Sequence, residues 1–148
     1  MAELGSARRE ELPQLVALLG LLFSEEAEFA PDAGKQQRAL ALLIPESAAG
    51  TVFVAREAGT AVAMASLVYA VSTAEGGKAA LFEDLIVHPD YRGRGIATAL
   101  VRFVIDEARR RDVLRLTLLT DMQNARAQAL YRKLGFADSS MKPMRLKL

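Results

Sequence analysis

Hydrophobic positions follow two different periods along this chain of 148 residues. In the first third, leucines and valines recur at helical spacing, which predicts a helix over residues 6–23 that begins at Ser6. A shorter helix is predicted over residues 35–43, and Pro45 ends it because proline cannot continue a helix. The period then becomes that of extended chain, which predicts three consecutive strands at residues 51–57, 61–72 and 79–88.

The last third of the chain returns to alternating helices and strands. A long amphipathic helix is predicted over residues 95–111, and Gly135 ends a second helix over residues 124–134. Strands are predicted at residues 115–120 and 139–148. Antiparallel strands followed by crossover units indicate an α/β (α+β) fold, with a mixed, mostly antiparallel central sheet flanked by helices.

Composition indicates one folded domain over residues 1–148, because 51% of the residues are hydrophobic and 25% are charged. The absence of Cys excludes disulfides and a Cys nucleophile, and a single His argues against a metal site. The N-terminal residues lack the basic start and apolar run of a secretory signal, and no apolar run is long enough to span a bilayer. We therefore expect a cytoplasmic protein without a membrane partner or a metal.

Charge is informative once the chain is divided. Residues 1–91 carry 6 Lys/Arg and 13 Asp/Glu, whereas residues 92–148 carry 13 and 5. The basic part is suited to an anionic ligand and the acidic part to a cationic one, although two solvated faces are an equal alternative. The net charge of +1 and the few aromatic residues of the basic part argue against nucleic acid as a partner.

The segment 87–98 places a glycine-rich turn between a strand and a helix. Glycines allow backbone N–H groups to approach a ligand, and a helix start adds unpaired N–H groups with partial positive charge. Phosphate or pyrophosphate suits such a site, and Arg92 and Arg94 add charge. The segment lacks the Gly-Lys-Ser/Thr of a Walker A loop, and Thr98 stands where a dinucleotide fingerprint needs Gly or Ala. A capped turn without a ligand is the alternative.

A second segment, residues 124–136, begins with Asn124 and carries Tyr131 seven residues later. Seven residues are about two helical turns, so both side chains can lie on one face of the helix. Taken alone, this pair is better explained by an N-cap Asn and a half-buried packing Tyr than by a ligand site.

Together the two segments resemble the GNAT superfamily of N-acetyltransferases. Arg92-x-x-Gly95-x-Ala97 looks like the family's acetyl-coenzyme A loop, and Asn124…Tyr131-x-Lys133-x-Gly135-Phe136 looks like its second motif. The family usually begins with a strand, for which this chain offers only residues 1–5. The resemblance implies acetyl-CoA as co-substrate, with a set of cofactor-binding residues comprising Leu85, Ile86, Val87, Arg92, Gly93, Arg94, Gly95, Ile96, Ala97, Thr98 and Asn124.

Catalysis of acetyl transfer to an amine needs a proton acceptor for the amine and a proton donor for the leaving thiolate. Glu83 is the best candidate acceptor, because a carboxylate in an otherwise apolar strand is costly unless it is used. Strand alternation would place the neighbouring Asp84 on the opposite face, and Asp84 remains the alternative. The resemblance implies Tyr131 as the donor, in a direct transfer without an acetylated enzyme.

The acceptor side is predicted from the acidic segment 24–29. Glu26 and Phe29, together with Glu83, are candidate acceptor-binding residues, because carboxylates favour a cationic amine. We therefore expect a small-molecule amine as substrate, and the resemblance implies a homodimer. The alternatives are a catalytically silent acyl-CoA sensor and an acetyltransferase that acts on a protein or peptide amine.

Overall fold

A computed structural model of the chain describes residues 1–26 and 28–148. Within these residues the helices are α1 (Leu12–Glu25), α2 (Ala33–Leu40), α3 (Ile96–Arg110) and α4 (Ala125–Lys133). The strands are β1 (Glu3–Ser6), β2 (Gly50–Glu57), β3 (Thr60–Ser72), β4 (Gly77–Val87) and β5 (Leu116–Leu118). Single turns of 3-10 helix lie at Arg9–Glu11 and Pro89–Tyr91.

The five strands form one sheet in the order β1-β2-β3-β4-β5. Neighbouring strands are antiparallel from β1 to β4, whereas β4 and β5 are parallel. The predicted mixed, mostly antiparallel sheet is therefore confirmed. The parallel pair is short: it begins at Ala80↔Leu116 and ends at Phe82↔Leu118.

Alternating residues of the central strands bury the two faces of this sheet against different helices. On one face, Val52, Val54 and Met64 pack with Leu15 and Leu19 of α1. The other face packs against α3, and its fully buried members are Phe53, Ala55, Ala63, Ala65, Leu67, Leu100, Val101 and Val104. Because both faces are covered, the strands are apolar at nearly every position in the middle of the sheet.

The beginning of the chain differs from its prediction. Residues 3–6 form a strand that pairs with β2, and the first helix begins at Leu12 instead of Ser6. Pro13 in the first turn of α1 explains the late start, because proline is tolerated there and disfavoured in a helix interior. Just before the helix, the buried Glu11 accepts hydrogen bonds from Arg56 Nε at 2.6 Å and Nη2 at 2.8 Å, which ties this turn to β2.

The end of the chain also differs from its prediction. No strand forms over residues 139–148, so the predicted final strand is wrong. The segment does not pair with the sheet, and Met141, Met144, Leu146 and Leu148 are all more than 80% exposed.

Within residues 1–26 and 28–148, no helix is long and apolar enough to cross a membrane.

Candidate active site

A β-bulge in β4 shapes the region where chemistry was expected. Ser66 of β3 lies opposite Glu83, but Met64 lies opposite Ile86, so two residues of β4 oppose one residue of β3. Asp84 and Leu85 are the two residues that lie opposite Ala65, and Asp84 has a φ of 57°. This left-handed conformation is one that Asp and Asn adopt more readily than most residues.

The bulge reverses the alternation of side chains along β4. Phe82 packs on the α3 side of the sheet, and so does Leu85, three residues later. Ile86 packs on the α1 side. The expectation that Glu83 and Asp84 would point to opposite faces is therefore wrong, because alternation holds only where no residue is inserted.

A cavity of about 450 Å³ opens where β4 and β5 stop pairing. The last paired residues are Phe82 and Leu118, and the residues that follow on each strand line the cavity walls. Helices α1 and α4 complete it. The carboxyl ends of parallel strands meet at one edge of a sheet, which is where ligands commonly bind. Its lining is Leu22, Glu25, Glu26, Phe82, Glu83, Asp84, Leu85, Leu118, Leu119, Thr120, Asp121, Gln123, Asn124, Ala127 and Tyr131.

This cavity, called the acidic pocket below, is lined by five carboxylates and by no Lys or Arg side chain. Burial, with the nearby charges of Glu83 and Glu26, raises the pKa of Asp84 to about 7. Burial, with the charges of Asp121, Glu28 and Glu83, also raises the pKa of Glu26. Concentrated negative charge of this kind attracts a cation. Among the described residues, no group of three acidic, His or Cys side chains is arranged to hold a metal ion.

Tyr131 lines the acidic pocket from α4. Its ring packs edge-on against Phe82, with centroids 6.1 Å apart, and against Phe136 at 5.8 Å. Burial among these rings raises the pKa of the Tyr131 hydroxyl to about 12, so the phenol keeps its proton at neutral pH. It can therefore act as a proton donor.

Asn124 begins α4 as its N-cap. Its Oδ1 accepts a hydrogen bond from the Ala127 N–H at 3.0 Å. Asn124 therefore has the N-cap role that was the structural explanation for this residue. Asn124 also lines the acidic pocket. Its side-chain NH2 group takes no part in the cap and can donate a hydrogen bond to a ligand.

The glycine-rich turn lies at the N-terminus of α3. Gly93 and Gly95 have φ of 76° and 78°, and the Gly95 N-cap supplies no side-chain acceptor. The N–H groups of residues 93–98 donate no hydrogen bond to any part of the chain within residues 1–26 and 28–148. A row of unpaired N–H groups at a helix N-terminus is a site for an anion such as a phosphate.

The two arginines of this turn are exposed, and both contact other parts of the protein. Arg92 Nε donates to the Val87 carbonyl at 3.0 Å, and its Nη2 donates to Glu25 at 3.0 Å. Arg94 lies over the Tyr91 ring, 5.0 Å from its centroid. Arg92 therefore joins the turn to β4 and α1, and the anion site is built mainly from the backbone.

The end of β4 offers an unpaired edge beside this turn. The His88 N–H donates to the Val62 carbonyl of β3 at 2.8 Å. Every second residue of an antiparallel strand bonds to the same neighbour, so Ile86 also faces β3. Leu85 and the Val87 N–H consequently face the side that β5 has left, whereas the Val87 carbonyl accepts the hydrogen bond from Arg92 Nε.

Comparison with known proteins agrees with this geometry. Residues 16–136 match the model of the acetyltransferase (GNAT) family. The chain belongs to this family. The resemblance drawn from the two motifs and the expected fold are thereby confirmed.

Individual GNAT relatives differ in how much of them is matched. The chain is 36% identical over 74 residues to the [ribosomal protein bS18]-alanine N-acetyltransferase of Escherichia coli strain K12, which is 50% of this chain and 49% of that protein. The chain thus spans about half the length of this curated relative. A putative acetyltransferase from Agrobacterium tumefaciens is 25% identical, with a TM-score of 0.81 over 98% of this chain and 99% of that one. A predicted acetyltransferase with acetyl-CoA from Clostridium acetobutylicum, 19% identical, shares the fold with a TM-score of 0.77 over 99% of this chain and 96% of that one.

Several predicted residues meet at one place in this GNAT fold. Glu83, Tyr131, Asn124 and Glu26 all line the acidic pocket. Phe29 does not: it is 48% exposed and packs against Phe23, with centroids 5.8 Å apart. Ala27, which belonged to the same predicted acidic segment, lies outside the described residues.

Sequence reasoning missed Asp121 of the pocket, and it counted Glu25 only as a member of the acidic segment 24–29. Asp121 follows β5, and the parallel pairing of β4 with β5 brings it near Glu83. The rule that ligands bind at the carboxyl ends of parallel strands could have singled it out. Glu25 is the last residue of α1 and pairs with Arg92.

Proposed function

We propose that this GNAT protein transfers the acetyl group of acetyl-CoA directly to a primary amine of a small cationic acceptor. The observation that carries the proposal is the acidic pocket, whose lining holds five carboxylates and no basic side chain, although Glu25 among them pairs with Arg92 outside the lining. The pocket lies beside an unpaired strand edge and a turn of free N–H groups, so sites for a cation and an anion are adjacent.

Acetyl-CoA fits the second of these sites. Its pyrophosphate matches the free N–H groups of residues 93–98, which are the family's cofactor loop. The backbone of Leu85 and the Val87 N–H, with the Asn124 side chain, are proposed to pair with the extended arm, since the Val87 carbonyl is bonded to Arg92. When bound, the co-substrate supplies an acetyl thioester that the free amine can attack.

The chain's own residues supply the proton transfers. A primary amine is protonated at neutral pH, so one pocket carboxylate must take a proton before the nitrogen can react. The sequence predicts Glu83 for that role. Tyr131 keeps its proton at neutral pH and is proposed to donate it to the leaving sulfur. The absence of Cys favours direct transfer over a thioester enzyme intermediate.

Two other functions compete with this one. The Escherichia coli relative is named for an alanine of a ribosomal protein, so a protein amine is a second candidate acceptor. A sensor that binds acyl-CoA without turnover is the third. The proposal also includes a homodimer in the cytoplasm, for which light scattering and localisation of the tagged chain are direct tests.

The deciding experiment measures thiol release from acetyl-CoA with polyamines, amino acids, aminoglycosides and lysine peptides. Tyr131→Phe is compared with Tyr69→Phe, a control at which burial, with the charge of Glu46, likewise raises the hydroxyl's pKa to about 12. Tyr69 is bonded to Glu46 at 3.3 Å and does not line the pocket. We expect turnover with a cationic class, and a loss of about 100-fold in kcat for Tyr131→Phe only.

The outcomes separate the candidates. Equal effects of the two substitutions would reject Tyr131 as the proton donor. Turnover with peptides alone would favour a protein acceptor. Tight acetyl-CoA binding by calorimetry, with no turnover across the panel, would favour the sensor.

A further inference from the structure

The bulge in β4 places two adjacent carboxylates on the same pocket. In a regular strand Glu83 and Asp84 would lie on opposite faces. Here both line the acidic pocket, because Asp84 lies in the bulge and takes a left-handed conformation. Glu83 and Asp84 can therefore contact the same ligand, and each can have a different role in the reaction.

The two carboxylates have different surroundings. The Glu83 side chain is exposed, whereas Asp84 is partly buried. Glu83 from β4 and Glu26 from beyond the end of α1 act on the charge of Asp84. The other titratable pocket groups are Glu25 from α1, which pairs with Arg92 at 3.0 Å, Asp121 from beyond β5 and Tyr131 from α4.

These surroundings make proton uptake easier at Asp84 than at an ordinary carboxylate. Burial is the largest cause, and the charges of Glu83 and Glu26 add to it, raising the pKa of Asp84 to about 7. Proton transfer is most efficient when the catalytic group titrates near the working pH. The exposed Glu83 carboxylate, by contrast, is accessible to a cation.

We propose that Asp84, and not Glu83, accepts the proton of the acceptor amine, while Glu83 binds the cation and holds its charge beside Asp84. This inference rests on the proposed function and names the base within it. The ammonium gives one proton to the Asp84 carboxylate, which becomes neutral and later releases it to water. The resulting amine nitrogen forms the new C–N bond as the C–S bond breaks. The nitrogen's second surplus proton goes to water, the sulfur takes the Tyr131 proton, and water restores that proton.

The test compares Asp84→Asn with Glu83→Gln, two adjacent substitutions that each remove one charge. Asn tolerates the left-handed conformation of residue 84, so the fold should be kept, and thermal melting of each variant checks this. The pH dependence of kcat/KM is measured for both variants and for the wild type. Acceptors whose amines differ in pKa separate an enzyme limb, which stays fixed, from a substrate limb, which moves.

We expect a fixed acid limb near pH 7 in the wild type. Asp84→Asn should lose about 100-fold or more in kcat and should lack that limb, because general-base catalysis is worth at least this much. Glu83→Gln should raise KM for the cationic acceptor and shift the limb to lower pH, because a negative neighbour of Asp84 has been removed.

The opposite pattern would overturn the inference. If Glu83→Gln lost the limb and Asp84→Asn kept both limb and turnover, Glu83 would be the base. A folded Asp84→Asn enzyme with wild-type kcat would likewise reject it. Failure of the proposed function is distinct, because the wild type would then transfer no acetyl group to any amine.

Discussion

The turn at residues 93–98 and the acidic pocket lie side by side, but they are built differently. The turn presents backbone N–H groups, and its two arginines are engaged with the protein itself. The acidic pocket presents side chains from four separate parts of the chain, with Glu26, Asp84, Asp121 and Tyr131 as representatives. A backbone site fixes what the family has in common, whereas a side-chain site can differ between members.

This difference explains why the co-substrate could be inferred more readily than the acceptor. The turn needs a few consecutive residues with defined φ values, so a short motif specifies it. The acidic pocket forms only when distant segments of the chain pair correctly and bring its side chains together. Fold and family therefore indicate acetyl transfer, and the pocket's own charges have to indicate the acceptor.

The first way to break the comparison is to disturb the backbone site alone. We expect Gly95→Ala to weaken acetyl-CoA binding at least about tenfold, which is about 1.4 kcal/mol. Gly95 has a φ of 78°, where an added Cβ is strained by about 1–2 kcal/mol, so the turn shifts and its N–H groups move. Calorimetric titration with acetyl-CoA measures the change in Kd.

Gly59→Ala is the matched control for this prediction. Gly59 has a φ of 80° in the turn between β2 and β3, and an added Cβ would meet no described atom within 4 Å at either glycine. Both variants should lose similar stability, and only Gly95→Ala should lose affinity. An unchanged Kd for Gly95→Ala would mean that the turn does not hold the co-substrate.

Sequence patterns anticipated the middle of the fold well and its ends poorly. Strands β2, β3 and β4 and helix α3 lie within two residues of their expected bounds, because alternation or helical spacing is strong there. The first helix was extended back to Ser6 across Pro13, although a proline there marks a helix start. The tail alternates like a strand, but a strand also needs a partner, and alternation does not supply one.

The acidic pocket could be predicted only in part for a related reason. Glu83 and Tyr131 were found from an out-of-place charge and a motif, and both line the pocket. The position of Asp84 depends on a bulge, which arises from the register between β3 and β4. Residues 83–87 taken alone do not indicate a β-bulge. Regular strand alternation therefore placed Asp84 on the wrong face.

A second, smaller effect concerns the free energy of unfolding, which the ionised Asp84 of the acidic pocket lowers. We expect Asp84→Asn to be more stable than the wild type at pH 8, by about 1 kcal/mol, which shifts Tm by about 2–4 °C in a domain of this size. Burial, with the charges of Glu83 and Glu26, raises the pKa of Asp84 to about 7 in the folded protein, whereas an unfolded Asp titrates near 4. Ionisation above pH 7 therefore costs the wild type stability.

The sign of that effect fixes its pH window. Between about pH 4 and pH 7 the folded protein binds a proton that the unfolded chain does not, so the Asp84 contribution to stability rises as pH falls. The advantage of Asp84→Asn should hence be largest above pH 7 and vanish near pH 4. Thermal melting of both proteins from pH 4 to pH 8 measures it, and a constant difference across this range would contradict the prediction.

The smallest expected effect concerns the tail, which reaches the acceptor side. Arg145 donates a hydrogen bond to Glu28 and lies 5.5 Å from the centroid of the Phe29 ring. Glu28 acts electrostatically on Glu26 of the acidic pocket, so Arg145 offsets part of the charge that would attract a cation. We expect Arg145→Gln to lower KM for a cationic acceptor and to leave the Kd for acetyl-CoA unchanged.

The change in KM should not exceed about fivefold, because an exposed ion pair is worth at most about 1 kcal/mol. Lys147→Gln is the control, since it removes the same charge from the same segment without touching Glu28 or Phe29. Equal changes in KM would show that only the overall charge matters. A change in Kd for acetyl-CoA of similar size would mean that the two sites are electrostatically coupled, and the separation between a backbone site and a side-chain site would no longer hold.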